Sequence, residues 1–306
     1  LLGNQGGFCS EMARYQLSSG GKRLRALVPL WVYERLGRDP IEAIPLGCAV
    51  ELVHNATLVH DDLQDGDVLR RGKPTVWKHW SPAQAINSGD ALFQLAFIVA
   101  AGAKTERLPS VLERLARGTL SVIEGQAQEF LMKEEPYPVL ERYLGVVRGK
   151  TAALFATAVG MPLLALARPE QEIAQAEDAA LKAGIVFQLQ DDLLDLYGAK
   201  GRERRGTDIA EGKVSSLIAW VNARDRGRDR ERLAELLGQP RDLTSDADIG
   251  EAIAILERQG AREGVMHEIA SIRRSLEGHP LASTSPALHS LLVELAGKFL
   301  EPLARA

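Results

Sequence analysis

Two short runs of aspartate carry the chemistry most plainly. In LVHDDLQDGD the carboxylates stand at Asp61, Asp62 and Asp65, and in FQLQDDLLDLYG at Asp191, Asp192 and Asp195. On a helix, residues i and i+4 share a face, with Cβ atoms roughly 5–6 Å apart. Two carboxylates at that spacing repel unless a cation lies between them. Hard oxygen ligands of this kind suit Mg²⁺, which keeps several waters and takes further ligands from substrate phosphates. The second run is flanked by Ile185, Val186, Phe187, Leu189, Leu193 and Leu194, so its helix should be deeply buried. Buried carboxylates without a counter-charge are very costly, and three of them argue for a bound cation. A single D-D-x-x-D reads equally well as a solvated acidic face or a helix cap. Its recurrence 130 positions later, again inside an apolar run, favours metal. Asp67 reads as a cap for the turn that follows the first helix.

Carboxylates with metal imply an anionic ligand, and that ligand needs positive charge elsewhere. Lys22, Arg23 and Arg25 follow Gly20-Gly21, while Arg70-Arg71, Lys150-Thr151 and Lys213 supply more. Glycine ahead of a basic run lets the backbone come close to a phosphate, and Arg offers a planar fork for bidentate contact. Each cation alone would be plain surface charge. The company of the aspartates marks out Lys22, Arg25 and Arg71. Gly149-Lys150-Thr151 imitates the end of a nucleotide-binding P-loop. That motif needs glycine at position 144, which is Leu144, and no strand precedes it.

The elements that must position these groups read as helices. The chain has 306 residues, 45% hydrophobic and 25% charged, enough for a deep core with a cavity in it. Long proline-free stretches between Pro82 and Pro109, Pro109 and Pro136, and Pro169 and Pro240 are rich in Ala, Leu, Glu, Arg and Gln, all good helix formers. Hairpin signals such as Asn-Gly between alternating runs are missing. One all-α domain over 1–306 is expected. Two stretches, 66–74 and 199–213, read as charged, glycine-bearing loops, each following an aspartate cluster. A net charge of −4 gives no footprint for nucleic acid and no polybasic membrane anchor. No run of 18 or more apolar residues spans a bilayer. Cys9 and Cys48 have neither disulfide-framework nor zinc-site spacing, and a reducing cytoplasm fits. The first residue is Leu1 rather than Met, so a longer native N-terminus is expected.

GGKRLR from Gly20, ELVHNATLVHDDLQDGDVLRRGKPT, KTAALF, FQLQDDLLD and GTDIAEGK ending at Lys213 occur in that order. Together they make the chain resemble the trans-isoprenyl diphosphate synthases, the polyprenyl synthetase family. The resemblance implies a single-domain helical bundle around a deep central cavity, with the two clusters facing each other across it, and a homodimer. It implies that Asp61, Asp62, Asp65, Asp191, Asp192 and Asp195 hold Mg²⁺, three ions, around an allylic diphosphate. Arg70, Lys150, Thr151, Gln188 and Lys213 would contact that diphosphate. Lys22, Arg25, His54 and Arg71 would bind isopentenyl diphosphate, with His54 as a positioning donor. Where the family often has a lysine before GTD, Arg204 is the stand-in. Ala26 replaces a common proline, and SSL at 215–217 replaces a common TLP.

The implied reaction breaks the allylic C–O bond as metal and cations take up the charge of the leaving diphosphate. The double bond of isopentenyl diphosphate then attacks the allylic carbon, and the departing diphosphate takes the proton. Closure of 199–213 would exclude water. A terpene cyclase would lack the GGKRLR and RRGKPT cations, and a non-catalytic subunit would lack one or both clusters. The growing chain should run down the apolar helix before Asp61, where one turn rises about 5.4 Å. Ala56 and Thr57 stand about one turn back and are small, so the cavity is expected to pass a farnesyl chain there, with Phe93 closing it lower down. Geranylgeranyl diphosphate is the expected product, with twenty-five carbons or more next and farnesyl diphosphate a further alternative.

Overall fold

The computed structural model describes residues 7–198 and 206–303. In chain order the first helices are α1 (Phe8–Leu17), α2 (Leu24–Arg35), α3 (Ile44–Gln64), α4 (Val76–His79), α5 (Pro82–Ala100) and α6 (Leu108–Glu134). After α7 (Leu140–Val147) the segment Arg148–Ala152 widens to a π-turn, followed by α8 (Ala153–Ala165) and α9 (Glu170–Tyr197). The remainder is α10 (Thr207–Ala210), α11 (Ser216–Arg224), α12 (Arg228–Leu237), α13 (Asp246–Arg258), α14 (Ala261–Glu277), α15 (Leu281–Thr284) and α16 (Pro286–Leu300). The all-α expectation holds. Two compact units emerge: Leu1–Leu120 with Leu154–Glu177, and Ser121–Ala153 with Asp178–Ala306. Their boundaries fall inside α6, α8 and α9 rather than in linkers.

In the first unit α3 packs most extensively on α5 and also on α2. Small residues make the α5 packing close: Ala85, Ser88, Gly89, Ala96 and Ala100 of α5 are all buried. Its start is set locally, since Ser81 Oγ accepts from the Gln84 amide at 3.3 Å and Pro82 sits at the first helical position. Helix α3 stops where Gly66 takes φ +71, a left-handed conformation that glycine adopts without cost. The first aspartate cluster therefore occupies the last turn of α3.

One feature departs from the all-helical reading. Leu69–Arg70 (β1) and Lys73–Pro74 (β2) form a small antiparallel hairpin, pairing Leu69 with Pro74 and Arg70 with Lys73. Both turn residues have positive φ, Arg71 at 53° and Gly72 at 75°, as a type I′ turn demands. Arginine at the first turn position is not an Asn-Gly signal, so the hairpin is hidden in the sequence.

In the second unit α11 packs on α7 and α14, and α12 on α13. Helix α13 begins with a reciprocal cap, Ser245 to the Asp248 amide and Asp248 back to the Ser245 amide.

Candidate active site

In the first unit, Asp61 and Asp65 lie one turn apart, the Asp65 amide bonding to the Asp61 carbonyl at 2.8 Å. Both are half-buried. Asp62, about 100° round the helix, turns inward and is 1% exposed. Its Oδ1 accepts from Arg70 Nε at 2.6 Å and pairs with Nη2 at 2.5 Å. Its Oδ2 is buried without a hydrogen-bond partner among the described residues. Burial outweighs the pull of Arg70 and pushes the Asp62 carboxyl up to about 6.

Next to Arg70, Arg71 goes elsewhere. Its Nη1 donates to the Gly20 carbonyl, and the guanidinium lies where a side chain at Gly21 would be, 2.5–2.8 Å from an ideal Cβ. Gly21 has φ +119, a conformation that favours glycine, and a side chain there would displace the Arg71 guanidinium. Arg25 Nη1 is 3.5 Å from His54 Nε2 and its guanidinium sits 4.8 Å from the centre of the Phe155 ring. Burial first, then Arg25, Arg70 and Arg71, hold the His54 imidazole well below its usual range. His54 is thus neutral and accepts from Arg25. Lys22 is exposed.

The chain-length candidates separate. Ala56 has no exposed surface, whereas Thr57 is half-buried and its hydroxyl donates to the His54 carbonyl at 2.8 Å. Successive helical residues point about 100° apart, so Thr57 keeps accessible surface where its neighbour Ala56 does not. Phe93 packs edge-to-face on His60, ring centres 5.8 Å apart. His60 directly precedes Asp61, so Phe93 packs on the residue next to the first cluster.

The second unit assembles its own polar cluster. Asp191 is half-buried, and Asp192 and Asp195 are buried. Asp192 Oδ2 accepts from Tyr143 Oη at 2.5 Å and the Ser216 amide at 2.8 Å, while Oδ1 accepts from Gln188 Nε2 at 3.0 Å. Thr151 Oγ1 donates to Gln188 Oε1 at 2.9 Å. A hydrogen-bond chain thus runs Thr151, Gln188, Asp192. Asp195 accepts from Thr207 Oγ1 at 2.6 Å and the Asp208 amide at 3.2 Å. That docks the Gly206-Thr207-Asp208 segment on the end of α9. Burial, then Asp195 and Asp192, push Asp208 up to about 8, against the pull of Lys213.

Lys150 lies on the π-turn, a helix irregularity frequent at functional sites. Its Nζ donates to Glu129 Oε2 at 2.5 Å. Gly125 of α6 makes this possible, because a Cβ there would collide with the Lys150 backbone. Lys213 Nζ pairs with Glu211 at 2.8 Å, and Glu211 also pairs with Arg241 at 3.1 Å. Arg204 lies outside the described residues.

Sequence reasoning missed Asp208, Tyr143 and Glu129. Asp208 stood in the GTD triplet; the other two had no local signal, since their partners are 49 and 21 positions away. The carboxylates fit a hard divalent cation. Burial first, then the charges of Asp195, Asp192 and Asp191, favour the protonated form of Asp208, and a cation would relieve the repulsion among these carboxylates. No three His, Cys, Asp or Glu among the described residues converge as a ready-made cage. Mg²⁺ is usually held by one or two carboxylates, with water and substrate phosphates completing its shell.

The polyprenyl synthetase family model matches residues 7–256. A short chain isoprenyl diphosphate synthase of Methanocaldococcus jannaschii is 36% identical over 248 residues, covering 80% of this chain and 75% of that protein. A geranylfarnesyl diphosphate synthase of Natronomonas pharaonis is 32% identical over 292 residues, covering 88% and 83%. Among solved structures, geranylgeranyl pyrophosphate synthetase from Pyrococcus horikoshii superposes with a TM-score of 0.80 at 33% identity, covering 94% of this chain and 89% of that one.

Proposed function

This chain belongs to the polyprenyl synthetase family, the trans-isoprenyl diphosphate synthases, and from that premise we propose that it condenses isopentenyl diphosphate head-to-tail with an allylic diphosphate, giving geranylgeranyl diphosphate. The observation that carries the reading is the crowding of Asp191, Asp192, Asp195 and Asp208, four carboxylates whose repulsion a cation would discharge. Bound Mg²⁺ would supply neutralising charge to the leaving diphosphate. Asp61 and Asp65 would hold metal at the end of α3, and Asp191 and Asp195 would hold it on α9. Asp62 and Asp192, with their protein donors, would hold the helix ends that present those ligands. Arg70, Lys150, Thr151, Gln188 and Lys213 would meet the allylic diphosphate, and Lys22, Arg25, His54 and Arg71 the isopentenyl diphosphate.

The protein's part in the chemistry is electrostatic and positional. Cations aimed at the charge that develops on the departing oxygen lower the barrier to breaking the allylic C–O bond. Neutral His54, accepting from Arg25, keeps that guanidinium aimed without adding a competing charge. The new C–C bond forms as the isopentenyl double bond attacks the allylic carbon, and the released diphosphate takes the proton.

Thr57 is the residue that supports a product longer than farnesyl: it is small and keeps accessible surface. The same residue supports geranylfarnesyl diphosphate as a second reading, the product named for the Natronomonas relative. We further propose a cytoplasmic homodimer. Ile123, Ala127 and Leu131 of α6 are exposed at i, i+4 and i+8, an apolar stripe that a second copy would cover. Incubating the purified chain with labelled isopentenyl diphosphate and farnesyl diphosphate, then separating the products, tests the reading. A geranylgeranyl-length product is expected; failure to consume isopentenyl diphosphate, or release of a hydrocarbon, overturns it.

A further inference from the structure

In the first unit, a carboxylate is buried beside one of the cations that follow Gly20-Gly21. Glu51, on α3 one turn before His54 and Asn55, is 8% exposed. Its Oε1 accepts from Asn55 Nδ2 at 3.1 Å and lies 3.6 Å from Arg23 Nη1. Its Oε2 is buried with no hydrogen-bond partner among the described residues. The Arg71 guanidinium lies against Gly21, two residues before Arg23, while Asp62 is bound to Arg70. Glu51 is the acid that pairs with Arg23.

A buried carboxylate half satisfied by a neutral amide costs stability, and here it also repels any diphosphate the neighbouring cations attract. Both costs need an offsetting role. Arg23 is held at two points, Nη2 donating to the Leu17 carbonyl at 2.6 Å and Nη1 turned to Glu51. It takes a left-handed backbone, φ 49°, at the start of α2. Arg71 likewise has positive φ and braces on the Gly20 carbonyl. The Arg23 guanidinium is thus held between a backbone carbonyl and one buried acid.

Resting on the prenyl-transfer reading, we propose that Glu51 is a positioning residue of the isopentenyl diphosphate site, aiming Arg23 at the diphosphate without touching substrate itself. Arg23 thereby joins Lys22, Arg25 and Arg71 as a cation of that site. The sign of one measurement decides. By charge alone, Glu51→Gln removes a repulsion and tightens anion binding; by orientation, it frees the Arg23 guanidinium and weakens binding. Glutamine keeps the shape and the bond from Asn55, so the fold should persist.

Titration calorimetry with isopentenyl diphosphate on the wild type and Glu51→Gln reads this without requiring turnover. A Kd about tenfold weaker is expected, the scale of losing one hydrogen bond to a charged group. In steady-state assays the KM for isopentenyl diphosphate should rise alike, with kcat and the allylic KM within about twofold. Arg23→Gln, at a half-exposed side chain, should give the same selective loss, and the double variant no more than the larger single one. An unchanged or tighter Kd in Glu51→Gln overturns the proposal. So does an equal rise in both KM values with a lowered melting temperature, which marks a structural role only. A wild type that binds isopentenyl diphosphate without condensing it overturns the prenyl-transfer reading and leaves the comparison of Kd values intact. One that binds none overturns both.

Discussion

Asp61 and Asp191 keep partial exposure at the ends of their clusters, whereas Asp62 and Asp192 turn into the protein and meet protein donors. Replacing Asp61 or Asp191 with Ala should lower turnover by several orders of magnitude while the far-ultraviolet circular dichroism stays that of the wild type. Near-normal turnover in either variant would sink the metal assignment. Asp208 gives a pH test. Its carboxyl titrates at about 8 when folded, against an ordinary value of 3.8, so the folded chain holds a proton that the unfolded chain has released. The unfolded state binds fewer protons across that window, and stability falls as pH rises from the carboxylate range to about 8. Mg²⁺ should offset the loss, raising the melting temperature little near pH 6 and most above pH 8. An equal Mg²⁺ effect at both would contradict the crowding. The i, i+4 aspartates and the cations beside them were legible as residue types at fixed spacing. Which aspartates turn inward was not, because Tyr143 and Ser216 reach Asp192 from other helices.

At the scale of elements, helical periodicity and the scarcity of strand signals were enough to read the fold class. The π-turn and the hairpin were not. Arg148–Ala152 lies in an unbroken helical pattern, and its widening goes with the close approach of α6 at Gly125. A methyl group at Gly125 would meet the Lys150 backbone, so Gly125→Ala should cost about 1–3 kcal/mol, read as a lowered urea midpoint. It should also weaken catalysis more than that loss implies, since Lys150 would no longer meet Glu129 as now. A midpoint within error of wild type would show that the crossing relaxes freely. For product length, Thr57 gives the most direct test, because it keeps accessible surface while Ala56 is buried. Thr57→Phe should shift the product toward farnesyl diphosphate in chromatography, and an unchanged profile would remove Thr57 from the chain-length determinants.

For the whole molecule, one-domain organisation is an expectation that the two compact units make testable. Their borders cut α6, α8 and α9, so melting one unit alone would sever all three helices and leave short, frayed remnants in the other, which ties the two together in unfolding. A single calorimetric transition is expected; two resolved transitions would mean separate folding units. Composition could announce an ordinary globular chain, but nothing in it marks borders placed inside helices. The small hairpin has a last consequence, for inheritance. Arg70 and Arg71 are adjacent codons, yet one turns to Asp62 and the other to Gly20. A point substitution there alters one task, whereas inserting or deleting a single codon would displace both side chains from their partners. Over descent, the stretch from Asp61 to Pro74 should therefore vary by replacement and never by length.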